Sequence, residues 1–243
     1  MSHSIFRGRR SRLGAALAWA AGLIWAGATL PGPAGAEDLV RKLQETLRSL
    51  RSLEADFSQA YFSVTVARPL QEKGRVYFKK PDLMRWEYSE PERKVFLYDG
   101  RVFSQYYPED EQLIRSSLSK TQYESEVLTL LSGQKNLGQD YEIEEDRSSP
   151  EAETAGRLKL TPRVEGEYAL IVLDVSPRSG LITRAVFQDW AENRTEFVFT
   201  KIKENPALKD SLFSLKVPPG TEIIDQETPA PPMPVKKRGR PGL

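Results

Sequence analysis

The chain has 243 residues, 39% hydrophobic and 28% charged, with 35 basic against 34 acidic residues, no cysteine and a single histidine, His3. These counts exclude disulfides, thiol chemistry and cysteine-built zinc sites. Once His3 is set aside as part of a leader, they also exclude Ser-His-Asp and Cys-His catalysis.

Residues 1–36 have the pattern of an export signal. Arg7, Arg9, Arg10 and Arg12 form a basic start with no acidic residue near it, and Leu13 to Leu30 is an apolar run. Pro31 and Pro33 break that run, and Ala34-Gly35-Ala36 provides a small-x-small cleavage site. Removing the four arginines leaves 31 basic residues against 34 acidic, a net charge of −3. The expected location is the periplasm, and the expected mature chain contains neither histidine nor cysteine.

Residues 37–227 are expected to form one domain. Leu39, Leu43, Leu47 and Leu50 recur at helical spacing, with Asp38 as the expected cap. The period then changes to two: Leu53, Ala55, Phe57, Gln59 and Tyr61 share one strand face, and Glu54, Asp56 and Ser58 the other. Strands are expected near 53–66, 71–80, 83–89, 93–99, 101–107, 111–115, 139–145, 156–161, 167–176, 181–189 and 194–203. Asp99-Gly100, Ser179-Gly180 and Glu192-Asn193 supply turns between them. Many short strands in series imply one meandering sheet that curls into a barrel or half-barrel. One interruption returns to helical period: Tyr123, Val127, Leu128, Leu130 and Leu131, with Gly133 as the stop. This helix and the N-terminal one are expected to cover the sheet. Residues 228–243 are rich in proline and then basic, and they predict a disordered tail. Arg238-Gly239-Arg240-Pro241 resembles an AT-hook core, but an exported chain is not expected to meet nucleic acid.

Gly74 to Pro108 holds nine aromatic rings on alternating strands. Val76, Phe78 and Lys80 share a face, as do Met84, Trp86 and Tyr88, and likewise Phe96 and Tyr98. On the residues alone this face is either an ordinary core or an adaptable apolar cavity. Lys80, at the strand end before Pro81, is either a snorkelling rim residue or a donor to the backbone of a covering element. Acidic residues are scattered on strand faces and in loops, with no paired arrangement. No enzymatic site, cofactor or metal is therefore expected.

The order of these features resembles the LolA family of periplasmic outer-membrane lipoprotein carriers. The resemblance is carried by L-x-A-x-F-x-Q (Leu53, Ala55, Phe57, Gln59), by G-x-V-Y-F-K-K-P-x-x-M-R-W-E-Y (Gly74 to Tyr88), by Y-D-G (Tyr98 to Gly100) and by the closing F-S-L-K-V-P-P-G-T-E-I-I-D (Phe213 to Asp225). It covers roughly Leu39 to Asp225. The related acceptor lipoprotein needs a lipidated N-terminal cysteine, which this chain lacks. The resemblance implies a mainly β (α+β) fold: an unclosed antiparallel β-barrel of about eleven strands with an α-helical lid over a hydrophobic cavity. It implies an acyl-chain cavity at Phe57, Val76, Phe78, Met84, Trp86, Phe96 and Tyr98, and a lid through Leu43, Leu47, Val127, Leu128 and Leu131. Lys80 falls on a family arginine that latches the lid; lysine offers a point charge where arginine offers a planar fork. Ser104-Gln105 are polar where the family often has apolar residues, so that strand is left out of the site. The implied partners are triacylated lipoproteins, an inner-membrane lipoprotein-releasing ABC transporter and an outer-membrane acceptor, met by a monomer. The competing expectation is a sensing or regulatory module that binds lipid on the same fold.

Overall fold

The computed structural model describes residues 36–117, 130, 136–148 and 150–226. The expected signal segment, most of the second covering helix and the basic tail lie outside the described residues.

Helix α1 (Ala36–Ser49) opens the domain. Its leucine stripe, Leu39, Leu43, Leu47 and Leu50, is buried. Each fully buried leucine contributes about 1.5–3 kcal/mol, so this stripe is the main force holding the helix down. Asp38 is not the cap. The helix starts two residues earlier, and Asp38 sits in its first turn, 2.8 Å from Arg41. An acidic first turn suits the positive end of the helix dipole.

Twelve strands follow in one sheet. They are β1 (Ser52–Phe62), β2 (Leu70–Lys79), β3 (Leu83–Glu90), β4 (Lys94–Asp99), β5 (Val102–Tyr107), β6 (Gln112–Ser117), β7 (Tyr141–Asp146), β8 (Arg157–Pro162), β9 (Tyr168–Val175), β10 (Ile182–Asp189), β11 (Arg194–Glu204) and β12 (Glu222–Gln226). Their spatial order is β12-β6-β5-β4-β3-β2-β1-β11-β10-β9-β8-β7. All eleven expected strands are present. The sheet is unclosed, with β7 and β12 as its two edges. It forms an open barrel with helices against it. Two short helices, α2 (Leu137–Asp140) and α3 (Pro150–Ala155), flank β7 and were not legible in the sequence.

Two differences from expectation have physical causes. The first strand stops at Phe62 instead of residue 66, and Val64 and Val66 fall on the face opposite Ala55, Phe57 and Tyr61. Asn193 Oδ1 accepts from the Val64 backbone N–H at 3.1 Å, a tertiary contact in place of strand pairing. The twelfth strand, β12, pairs with β6 in parallel. Arg115 donates two hydrogen bonds of 2.8 Å to Asp225 across that pair.

The turns carry the expected chemistry. Gly100 has φ +90°, and the Asp99 carboxylate accepts from Arg101 N–H at 2.9 Å and Val102 N–H at 2.8 Å. On the outer face, Asp56 pairs with Arg75 and Lys201 at 2.9 Å each, and Glu54 with Lys203 at 3.0 Å. Exposed cross-strand pairs of this kind contribute little to stability. The concave face holds the core. On β8–β10 it is filled by Leu158, Leu160, Ile171, Leu173, Val175 and Phe187; on β1–β4 and β11 it is aromatic.

Candidate functional site

The aromatic half of the concave face is built by strand register. Val76 pairs with Trp86 and Phe78 with Met84, then Met84 with Tyr98 and Trp86 with Phe96. Paired residues project to the same side, so these six side chains form one surface. Phe57 joins them from β1, opposite Gly74. Phe57, Val76, Phe78, Met84 and Trp86 are buried, and Phe96 and Tyr98 are partly buried against them. Burial raises the pKa of the Tyr98 hydroxyl, helped by Asp82 and Asp99.

Gly74 makes this cluster possible. A Cβ at that position would lie 2.0 Å from the Glu87 carbonyl oxygen and 2.9 Å from the Phe57 ring. The missing side chain lets β3 close in and lets the Phe57 ring lie over the β2 backbone. From there Phe57 meets Trp86 edge-on at 4.8 Å and Tyr88 at 5.0 Å. Trp86 Nε1 donates to Met84 Sδ at 2.9 Å, which leaves its polar atom satisfied inside an apolar surface.

Two residues of this surface were not singled out in the sequence. Phe197 and Phe199 on β11 stack on each other, with rings 6.2 Å apart and 5° between planes, and Phe197 lies 5.3 Å from Trp86. Tyr88 closes the row beyond Trp86. The alternation Phe197-x-Phe199 was a readable signal; what could not be read was that β11 returns beside β1.

Helix α1 covers the surface. Leu47 and Leu50 line a residual cavity with Leu53, Ala55, Val76 and Phe78, and with Met84, Leu181, Ile182, Phe199 and Ile202 from other strands. Its volume is about 40 Å³. Holding one water takes roughly 10–15 Å³ on this measure, so the space suits a few small molecules and no long chain. Leu43, on the sheet-facing side of the same helix, is fully buried. Val127, Leu128 and Leu131 lie outside the described residues; Leu130, their neighbour, is helical and buried in the core.

Three side chains tie α1 down through four hydrogen bonds. Thr46 Oγ1 donates to the Ser179 carbonyl at 2.8 Å, and Lys42 Nζ donates to the Pro177 carbonyl. At the other end, Lys80 Nζ donates to the carbonyls of Leu47 at 2.9 Å and Arg48 at 2.8 Å. These carbonyls belong to the last helical turn, where the dipole favours a cation and where carbonyls lack intrahelical partners. Desolvation lowers the Lys80 pKa.

Among the described residues no three His, Cys, Asp or Glu side chains cluster as a metal site, and no helix is long and apolar enough to cross a membrane. A hollow of about 670 Å³ around Gly74 touches the ion pairs Lys73–Glu90 and Arg75–Asp56 as well as Phe57, Tyr88 and Lys94.

Residues 48–216 match the sequence profile of a family described as outer membrane lipoprotein carrier protein LolA. A relative from Pseudomonas putida (strain W619), named outer-membrane lipoprotein carrier protein, is 28% identical over 199 residues, spanning 82% of this chain and 92% of its own. One of the same name from Dechloromonas aromatica (strain RCB) is 27% identical over 193 residues, spanning 79% and 89%. Among solved structures, an uncharacterized conserved protein from Thermus thermophilus superposes with a TM-score of 0.51 at 16% identity, covering 79% of this chain and 99% of its own. That likeness concerns the fold alone.

Proposed function

The chain belongs to the LolA family of outer-membrane lipoprotein carriers, and from that premise we propose that it shields the acyl chains of lipoproteins in the periplasm. In this reading it takes triacylated cargo from an inner-membrane ABC transporter and delivers it to an acceptor at the outer membrane. Residues 1–36 direct export, residues 37–227 form the carrier domain and residues 228–243 a basic tail. Near a membrane, each basic residue of such a tail is worth about 1 kcal/mol of attraction to anionic headgroups.

One observation carries the reading: a concave aromatic surface closed by a helix that is pinned at its C-terminal end by a single cation. Burying one CH₂ contributes about 0.8 kcal/mol, so a chain of about sixteen carbons is worth about 12 kcal/mol when fully withdrawn from water. Several such chains cannot cross an aqueous space unshielded. The cavity of about 40 Å³ cannot hold them as it stands, so the arrangement described is the closed one. Cargo enters by displacing α1 from Phe78, Met84 and Phe199. The bonds from Lys80 to α1 stabilise the closed state and so compete with cargo. That competition lets the carrier let go. No bond is made or broken, and no cofactor is needed.

The test is release of lipoproteins from inner-membrane vesicles or spheroplasts that contain the transporter. The wild-type protein should appear in the soluble fraction in a one-to-one complex with a triacylated lipoprotein and pass it to outer-membrane vesicles. Failure to solubilise any lipoprotein overturns the reading. Binding of free lipid with no transfer would favour the sensing module instead.

A further inference from the structure

The apolar surface ends in a polar cluster at the end of β2 remote from Lys80. Glu72 pairs with Gln59 across β1 and β2, and Lys94 pairs with Tyr88 across β3 and β4. These four residues extend the same concave face beyond Phe57 and Trp86. Lys94 Nζ donates to Glu72 Oε1 at 2.5 Å, and both side chains are largely buried, 18% and 9% exposed. The same ammonium lies 4.4 Å from the centre of the Tyr88 ring and 5.4 Å from that of Phe96. Beside it, the Tyr88 hydroxyl donates to Gln59 Oε1 at 2.8 Å, and on β5 the Tyr107 hydroxyl donates to Gln105 Oε1 at 3.1 Å. Gln105 pairs with Phe96, so it belongs to this face although its polarity argued against it in the sequence.

Stability does not account for the buried pair. Withdrawing two charges from water costs about as much as their attraction returns, and an apolar pair of the same volume is commonly as stable or more so. One carboxylate oxygen takes one of the three ammonium N–H groups; aromatic faces lie near the ammonium as well. The position is also specific. Glu72 is eight residues from Lys80, about 26 Å along an extended strand. One leaflet of a bilayer's hydrocarbon core is about 15 Å deep, which is the reach of one acyl chain. A chain rooted near Lys94 therefore reaches a little over half of that distance and ends on the apolar surface before Lys80.

We infer that the cluster of Lys94, Glu72, Gln59 and Tyr88 is a subsite for the polar root of the acylated ligand, the ester and amide carbonyls where acyl chains join their carrier. This rests on the carrier reading and adds to it a recognition element. Those carbonyls lose water when the chains are buried and need donors in its place. The Lys94 ammonium supplies them, swinging from Glu72 while the Tyr88 and Phe96 faces still accommodate its charge. The Glu72 carboxylate can then accept the amide N–H of the cargo. The cluster thus favours chains that carry a carbonyl root over bare hydrocarbon.

The experiment compares two probes, a synthetic triacylated lipopeptide and a hexadecyl-pyrene that has no carbonyl, on the wild-type protein and two variants. In the double variant Glu72→Leu with Lys94→Met, hexadecyl-pyrene should bind as in wild type. The lipopeptide should bind roughly 10- to 150-fold more weakly, the range of a hydrogen bond to a charged group. In Glu72→Gln, which keeps the shape but weakens the hold on the ammonium, the lipopeptide should bind at least as tightly as in wild type. Equal effects on both probes, no effect on either, or weaker lipopeptide binding by a folded Glu72→Gln variant overturns the subsite. A wild-type protein that binds neither probe overturns the carrier reading itself.

Discussion

Replacing Lys80 by leucine removes both hydrogen bonds that hold the last turn of α1, those to the carbonyls of Leu47 and Arg48. A hydrogen bond to a charged group contributes about 1.5–3 kcal/mol, and a cation at a helix C-terminus about 0.3–1 kcal/mol. Because the ammonium is only part-buried, the combined loss is discounted to about 1–3 kcal/mol. That shift multiplies the population with α1 open by roughly 5- to 150-fold. Hydrogen exchange reads it directly: protection of the α1 amides should fall by that factor in Lys80→Leu and be largely retained in Lys80→Arg, whose fork can reach the same carbonyls. In the proposed carrier cycle cargo binds the open form, so by linkage its affinity should rise by up to the same factor. The variant should therefore load normally and release slowly to acceptor membranes. Unchanged α1 protection in Lys80→Leu would refute the latch, and normal release with increased opening would refute its link to cargo.

Trp86→Glu should abolish binding of a fluorescent fatty-acid probe while circular dichroism still reports a β-rich fold; Phe78→Glu, from the neighbouring strand, should do the same. A folded variant of either kind that binds normally places the cavity elsewhere. Gly74→Ala puts a Cβ 2.0 Å from a backbone oxygen, and such overpacking costs about 1–3 kcal/mol. Its urea midpoint should fall accordingly, and an unchanged midpoint would contradict the close approach of β2 and β3. Ending the chain before β12 exposes the β6 edge, and unpaired edges invite association. Light scattering should then detect larger species than the full chain forms, and an unchanged size would assign β12 no protective role.

Much of this architecture was legible because it follows local rules. Period-two alternation with turn residues between runs located β1 to β11, and the leucine stripe located α1. Lys80 stood out because a lone cation on an apolar strand face needs an acceptor, although its two carbonyls belong to a helix more than thirty residues away. The strand β12 was missed because Ile223-Ile224 has no alternation and its partner β6 lies 110 residues earlier. Phe197 and Phe199 were missed for a related reason: only the closure of β11 onto β1 brings them against Trp86. The pair Lys94–Glu72 was hidden by geometry, since the two are 22 residues apart and meet across β3, beside a register shift at Lys73 and Gly74. Long-range register decides such contacts, and local pattern does not contain it.

The most direct test of the carrier account is native mass spectrometry of the protein purified gently from its own periplasm. The account predicts a mass increment that dissociates into a triacylated lipoprotein, and its loss in Trp86→Glu. Recovery of the protein with free lipid alone, or with nothing, in cells that are actively exporting lipoproteins would contradict it.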